Sequence, residues 1–363
     1  MQMKLIALAI AGLASTAALA ESNVTIYGIM DASIDLTDTG DSATTSGQQV
    51  TKISSNQSRI GYKGSEDLGD GLSAIFQIET AINADGGTTS SLNSRNTFVG
   101  LTDKTWGRFI MGQHDSPYKT NRIDYFGDHL GDHRNLMGLG TASFDSRPSN
   151  TIRYDSPDMA GLKIALEWAA AAEGATTSGA SKAAFFAGSG IYTITDEWDV
   201  RAAYQRHKYS TATGSTFLAA SGITDGQAQR AWKLGTKYKS GPFSVGFEYE
   251  DISDDFAAAA TKEHKAWTLG GSYKVGNNDF KLAYTVRDDI KGVADSGAKQ
   301  IAVGVDHIMS KRTKLYAEYV KLTNDSAADF SLTGAGGNTT GGTKPLAAGG
   351  DPSAWQFGMK HVF

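Results

Sequence analysis

Residues 355–363 read Trp355-Gln356-Phe357-Gly358-Met359-Lys360-His361-Val362-Phe363, large apolar side chains alternating with small or polar ones. Successive side chains of a strand point to opposite faces, so Trp355, Phe357, Met359 and Phe363 share one face and Gln356, Gly358 and Lys360 the other. One face is greasy and the other wet. Such a strand suits a soluble core, and it equally suits a barrel whose outside is lipid. The rest of the chain decides between them.

The pattern recurs from the start of the chain. Val24, Ile26, Gly28, Met30, Ala32, Ile34 and Leu36 fall on one face of a strand, with Thr25, Tyr27, Asp31, Ser33 and Asp35 on the other, a period no helical stripe can produce. Further strands are predicted near 50–64, 72–81, 95–103, 107–114, 149–155, 161–170 and 183–195. The series continues near 198–209, 229–240, 242–252, 264–274, 279–289, 297–308, 312–322 and 353–363, about sixteen in all. Apolar sets such as Leu162/Ile164/Leu166/Trp168 stand opposite charged ones such as Lys163/Glu167, Lys233/Lys237 and Glu248/Glu250. In a soluble core each such ion would cost several kcal/mol unless paired; a wet lumen removes the penalty.

Short turns are expected at 66–71, 104–107, 156–161, 196–197, 240–241, 276–279 and 309–311. They alternate with polar stretches such as 171–182, 209–228 and 323–352. Segregated short turns and long loops are the signature of an outer-membrane barrel, not of a soluble sandwich. The predicted fold is therefore all-β: a transmembrane antiparallel barrel of about 16 strands with short periplasmic turns and long external loops. Aromatic residues near strand ends, among them Phe98, Trp168, Tyr249, Trp267, Tyr284, Trp355 and Phe363, are expected in interfacial girdles, whereas alternation turns Tyr27 inward.

Residues 1–20 carry Lys4, an apolar run from Leu5 to Leu13 and small residues ending Ala18-Leu19-Ala20, which reads as a cleavable secretory signal. The barrel domain is then 21–363. Removing Lys4 with the leader moves the formal charge from −5 to −6. This mild acidity argues against nucleic acid as a partner. With no cysteine in the chain, stability must come from packing and sheet closure instead of disulfides. Glycine is abundant (42) and proline scarce (6), which suits strands joined by turns.

The chain resembles the Gram-negative general porins of β-proteobacterial and marine type across essentially its whole mature length. The resemblance rests on the first strand and on the block Ser58-Arg59-Ile60-Gly61-Tyr62-Lys63-Gly64-Ser65-Glu66-Asp67-Leu68-Gly69. Further matches are Arg95-Asn96-Thr97-Phe98-Val99-Gly100-Leu101, Asn150-Thr151-Ile152-Arg153-Tyr154-Asp155, Ser310-Lys311-Arg312-Thr313 and the terminal strand. It implies a sixteen-stranded homotrimeric barrel in the outer membrane, among its lipids and lipopolysaccharide. It also implies a third external loop folded into the lumen, passive diffusion of ions and small hydrophilic solutes, and a C-terminal aromatic, here Phe363, read by the barrel-assembly machinery.

The stretch 115–148 occupies the position of that inward loop and carries Asp115, Asp124, Asp128, Asp132 and Asp145. It lacks the Pro-Glu-Phe-Gly-Gly element of enterobacterial porins. On the walls, alternation points Arg59, Lys63 and Arg153 into the lumen. By resemblance Arg59, Arg95 and Arg153 match the family's arginine cluster, facing acids on the loop. The expected constriction is thus Arg59, Arg95, Arg153 and Lys63 on the wall against Asp115, Asp124 and Asp128 on the loop. Guanidinium groups stay charged at any relevant pH, and opposed rows of charge across a narrow throat make a transverse field that selects hydrated polar solutes.

Other chemistry is weakly represented. Asp128-His129 and Asp132-His133 would offer metal ligands on a helix but suit ordinary loop hydrogen bonds, and Asp251, Asp254 and Asp255 suit a solvated rim better than a Ca²⁺ site. No nucleophile elbow or zincin motif is present, so no catalytic residue, metal or cofactor is assigned. The Gly-rich stretch 334–342 follows a strand but precedes no helix, and reads as a loop, not a phosphate cradle. The alternatives are a substrate-specific channel for sugars or carboxylates, a barrel enzyme needing a nucleophile and base at one rim, and a receptor acting through its external loops.

Overall fold

The structure is a computed structural model that describes residues 23–86, 94–171, 183–213, 215–333 and 343–363. The leader expected over 1–20 and the polar stretches over 172–182 and 334–342 lie outside these residues. Alternating segments become strands β1 (Asn23–Asp38), β2 (Gln49–Ser55), β3 (Arg59–Gly69), β4 (Leu72–Ala81), β5 (Thr97–Asp103) and β6 (Gly107–Gln113). After a long loop come β7 (Thr151–Asp155), β8 (Leu162–Ala169), β9 (Ala184–Thr195), β10 (Trp198–Lys208), β11 (Ala228–Ser240) and β12 (Phe243–Asp254). The remainder are β13 (His264–Val275), β14 (Asn278–Arg287), β15 (Ala298–Ile308), β16 (Thr313–Asn324) and β17 (Ser353–Val362).

Apart from β2 and β3, which both pair with β1, each strand pairs antiparallel with its sequence neighbours, and β17 pairs back onto β1 from Ile29↔Val362 to Asp38↔Ser353, closing the sheet. Closure removes every unpaired strand edge, the condition for strands to cross lipid. The segment expected as one strand over 50–64 is broken at 56–58, where Gln57 takes a positive φ of 59°. Polar side chains cause the break: the Asn56 amide donates to Ser33 Oγ and Tyr316 Oη, and Ser58 Oγ accepts from Asp31 N. Both halves still pair with β1, β2 along its far end and β3 along Asn23–Ile29, so they form one stave and the barrel has sixteen.

The turns fall where alternation stops. At the first, Asp70 (φ 53°) and Gly71 (φ 86°) supply the two left-handed residues of a tight hairpin, and the expected turn over 66–71 shortens to this pair. Short connections at one rim and long ones at the other repeat around the barrel.

Polarity is inverted relative to a water-soluble protein. Outward Trp168, Leu234 and Leu282 are 49%, 53% and 52% exposed, whereas inward Lys233, Glu248 and Glu250 are 4%, 1% and 1% exposed. Toward the long-loop ends of their strands, outward aromatics pair as Trp232–Tyr249, Trp267–Tyr284 and Tyr319–Trp355, with centroids 5.4, 5.8 and 4.9 Å apart. Toward the short turns, Tyr192, Trp198, Tyr238, Phe243, Tyr273, Phe280 and Phe363 are exposed on the outside. These two belts bracket an apolar band, as interfacial anchors do. Phe98 departs from the expected girdle: it points inward, 5.5 Å from the ring of His114, while Val99 and Leu101 face out. Tyr27 also points inward, its hydroxyl donating to Glu79. Among the described residues no helix is long and apolar enough to cross a membrane.

Candidate functional site

The connection between β6 and β7, residues 114–150, folds into the barrel and lies across its far wall. The wall beneath it is paved with small residues. A Cβ on Gly270 would stand 2.5 Å from the Tyr125 ring, one on Gly246 2.5 Å from Ile123, and Ala302 and Gly304 leave similar room under Gly131 and Phe126. The loop can lie close only because those positions carry no side chain of size.

Inward side chains of the later strands then satisfy the loop's backbone. Glu248 accepts from Ile123 N (3.1 Å), Glu250 from Gly138 N (2.8 Å), Glu318 from Gly131 N (2.9 Å) and Gln356 from Leu130 N (3.2 Å). Gln300 donates to the carbonyls of Gly131 and Asp132, and the Tyr118 hydroxyl donates to Glu250. These buried carboxylates would be costly alone; peptide N–H groups, Lys233 (3.2 Å from Glu248) and His133 (4.0 Å) compensate them.

What the loop leaves open is a cavity of about 380 Å³ lined by Gln57, Arg59 and Arg95 from the wall side and by Asp115, Lys119, Thr120, Arg122, Asp128, Arg134 and Arg147 from the loop. Of the expected wall residues, Arg59 and Arg95 reach it. Arg59 stands 3.7 Å from Asp128, and Arg95 is anchored by Glu79 (2.5 Å) and the Gln57 amide oxygen (2.7 Å). Lys63 faces the lumen four residues nearer the short-turn rim, its ammonium 5.3 Å above the Tyr27 ring.

Arg153 does not line the cavity. It is buried one layer back, bound to Asp155 (2.6 Å), Glu167 (3.5 Å) and the carbonyl of Asp115 (2.5 Å), where it fixes the start of the loop. Burial and the adjoining Arg153 push the neighbouring His114 down to about 4.

Of the expected loop acids, Asp115 and Asp128 line the cavity and Asp124 turns away. Asp115 holds Lys119 (3.0 Å) and Arg147 (2.8 Å); burial opposes its ionisation, yet these cations keep it well below the usual carboxylate range. Asp128 is half-buried, which opposes its ionisation, and is kept low by Arg134, Arg122 and Arg59. Asp124, Asp132 and His133 draw within 4.8 Å of one another, but Arg134 already grips Asp132 with Nε (2.9 Å) and Nη2 (2.5 Å), and Arg122 lies 3.3 Å from Asp124. Both carboxylates are thus already paired with guanidinium groups. At the outer rim, Asp254 accepts from Thr261 Oγ and Lys262 N, and Asp255 pairs with Arg230, so both are satisfied by the protein.

The loop's own cations, Lys119, Arg122, Arg134 and Arg147, are the lining residues that sequence reasoning missed. Counting bases as well as acids over 115–148 would have found them. The lining therefore carries six cations and two carboxylates, while Asp124, Asp132, Asp145 and Glu79 neutralise from behind.

A closed barrel with an apolar outside, two aromatic belts and a charged internal throat defines a channel of the outer membrane. The chain belongs to the Gram-negative porin family, whose profile matches residues 7–327. It is 29% identical to outer membrane porin protein 32 of Delftia acidovorans, covering 100% of both chains. It is 28% identical over 357 residues to the major outer membrane protein P.IB of Neisseria meningitidis serogroup B, covering 93% of this chain and 98% of the other. Among solved structures, the anion-selective porin from Comamonas acidovorans superposes with a TM-score of 0.75 at 25% identity, over 94% of this chain and 100% of that one. The trimer form of OmpT from Vibrio cholerae shares the fold, with a TM-score of 0.66 at 16% identity, over 94% and 99%. The protein is thus a passive outer-membrane channel, and its relatives are channels, not enzymes.

Proposed function

We propose that the channel prefers anions, and that its eyelet is the ring of Arg59, Arg95, Lys119, Arg122, Arg134 and Arg147 around Asp115 and Asp128. The observation that carries this is the placing of charge: cations line the cavity and most of their counter-carboxylates lie a layer back. A permeating ion feels the nearer charges more strongly, and in a narrow throat with low-dielectric walls that difference sets selectivity. The arrangement differs from an arginine wall facing an acidic loop, because here the loop supplies four of the six cations. The anion selectivity stated for the Comamonas porin supports the same reading.

The proposal extends to assembly. It includes a leader removed after residue 20, a homotrimer surrounded by lipid and lipopolysaccharide, and recognition of Phe363 by the barrel-assembly machinery. In support, a trimeric form is known for the OmpT neighbour. The test is the reversal potential of the purified channel across a KCl gradient; a cation-selective sign would overturn the anion reading. The density of lining cations also favours a carboxylate-specific channel over a sugar channel, and saturable block by one dicarboxylate, absent with chloride, would establish that alternative.

A further inference from the structure

His129 is buried in the loop directly after Asp128, yet it lines no part of the cavity. Its Nε2 lies 3.2 Å from Asp31 Oδ2 on β1 and its Nδ1 3.4 Å from Glu318 Oε2 on β16. The ring stacks on Tyr316 of β16, centroids 4.0 Å apart, and the Tyr316 hydroxyl donates to the other oxygen of Asp31. Lys360 of β17 stands 3.6 Å from Asp31, and Lys314 lies 5.8 Å over the Tyr316 ring, paired with Asp306. Within the loop, Asp132 N donates to the His129 carbonyl. Two carboxylates thus share one imidazole, with a single lysine beside them.

The neighbouring Asp128 is in the left-handed region (φ 69°), unusual for a residue with a side chain. It is held there by its N–H to Asp132 Oδ2 (3.1 Å) and, on the following residues, by His129 and by Gly131 N on Glu318.

We propose that His129 is a positioning residue of the eyelet: its imidazolium, clamped between Asp31 and Glu318, sets Asp128 among Arg59, Arg122 and Arg134, and loss of the proton loosens this clamp. Without the proton, two buried carboxylates face a neutral ring. The loop at Asp128 is released, and one positive charge leaves the shell behind the lining. The lost charge lowers the preference for anions, so the direction rests on the function proposed above, while the clamp does not. Burial opposes the charged ring, but the contacts with Asp31 and Glu318 outweigh it and raise His129 to about 9. Since the folded value lies above the ordinary histidine value of about 6.5, the tie is complete below that pH and is lost as pH rises through about 9.

The test is the reversal potential and open-channel noise in a KCl gradient between neutral pH and about 9.5, where a lysine of ordinary pKa, about 10.4, keeps most of its charge. Wild type should move toward zero potential, with rising noise, through one transition. H129Q should be shifted already at neutral pH and then stay flat. Glu318→Gln, which leaves the imidazolium one carboxylate, should move the transition to lower pH, and this variant serves if H129Q does not assemble. A flat wild-type profile, a transition that survives in H129Q, or an unmoved midpoint in E318Q would overturn the clamp. A cation-selective sign with the His129-dependent transition intact would overturn only the anion reading.

Discussion

Replacing Arg59 by glutamine removes the lining cation with the most distant partner, Asp128 at 3.7 Å, with a side chain 20% exposed. A cavity of about 380 Å³ has the volume of a sphere about 4.5 Å in radius, which puts a passing ion about 6 Å from the guanidinium charge, where the Coulomb energy in water is about 0.7 kcal/mol. At 0.1 M salt, with a screening length of about 10 Å, about 0.4 kcal/mol remains. Chloride loses that attraction and potassium loses the same repulsion, so their ratio should change by about 0.8 kcal/mol, roughly fourfold. The assay is the permeability ratio from reversal potentials, R59Q against wild type, with Arg153→Gln as the comparison. Because Arg153 sits one layer back between Asp155 and Glu167, its loss should reduce folded yield far more than selectivity. An unchanged ratio in R59Q, or a larger fall in R153Q, would refute the placing of these two arginines.

Gly270→Leu should push Tyr125 and the adjoining loop off the wall, costing about 1–3 kcal/mol by overpacking; larger and noisier conductance steps in planar bilayers would report it, and wild-type steps would count against the seating of the loop. Gly28 lies under the Phe363 ring, where a Cβ would meet Cζ at 2.4 Å, and the two residues exchange backbone hydrogen bonds of 3.0 Å. Gly28→Leu and Phe363→Ala should therefore both lower the amount of heat-modifiable barrel recovered from membranes while leaving single-channel conductance of the assembled fraction unchanged. Asp115 and Asp145 are held below the ordinary carboxylate range against burial, by Lys119 with Arg147 and by Arg134 with Lys119. Their contribution is present above the unfolded carboxylate value of about 3.9 and is lost only as pH falls through the lower folded values, so any change of conductance between neutral pH and about 4 should persist in Asp115→Asn and Asp145→Asn, and a change near pH 5 that either variant abolishes would show that these carboxylates are not held low.

The staves were legible because lipid outside and water inside impose a strict period of two, which chain order alone reveals. Trp355, Phe357 and Met359 had to share a face, and the inward position of Tyr27 followed from the same count. The break at 56–58 was not legible, because it depends on Asn56 reaching Ser33 and Tyr316, residues distant in sequence. At the throat, alternation gave Arg59 and Arg153 the same inward direction but could not tell the cavity from the layer behind it, where Arg153 sits. Loop cations escaped for a different reason: a loop has no period, and Arg134 is positioned by Asp128, Asp132 and Asp145 together. The glycine floor carried a signal, since Gly246, Gly270 and Gly304 fall on inward positions of strands otherwise rich in large side chains.

The loop that narrows the channel belongs to the first half of the chain, but most of its fastenings come from the second. Ile123 waits for Glu248, 125 residues on, Gly131 for Glu318, 187 on, and Leu130 for Gln356, 226 on. Closing such spans is slow because the chain entropy is lost before the contacts form. The connectivity thus makes the seating of the loop late, alongside the closure of β17 onto β1, whose pairs are farther apart still. A barrel stalled before β12 would hold its selectivity loop without the carboxylates that seat it. On the function proposed above, its arginines would be in the chain yet unable to discriminate between ions, and completeness of the far wall, more than the loop's own sequence, would turn a hole into a filter.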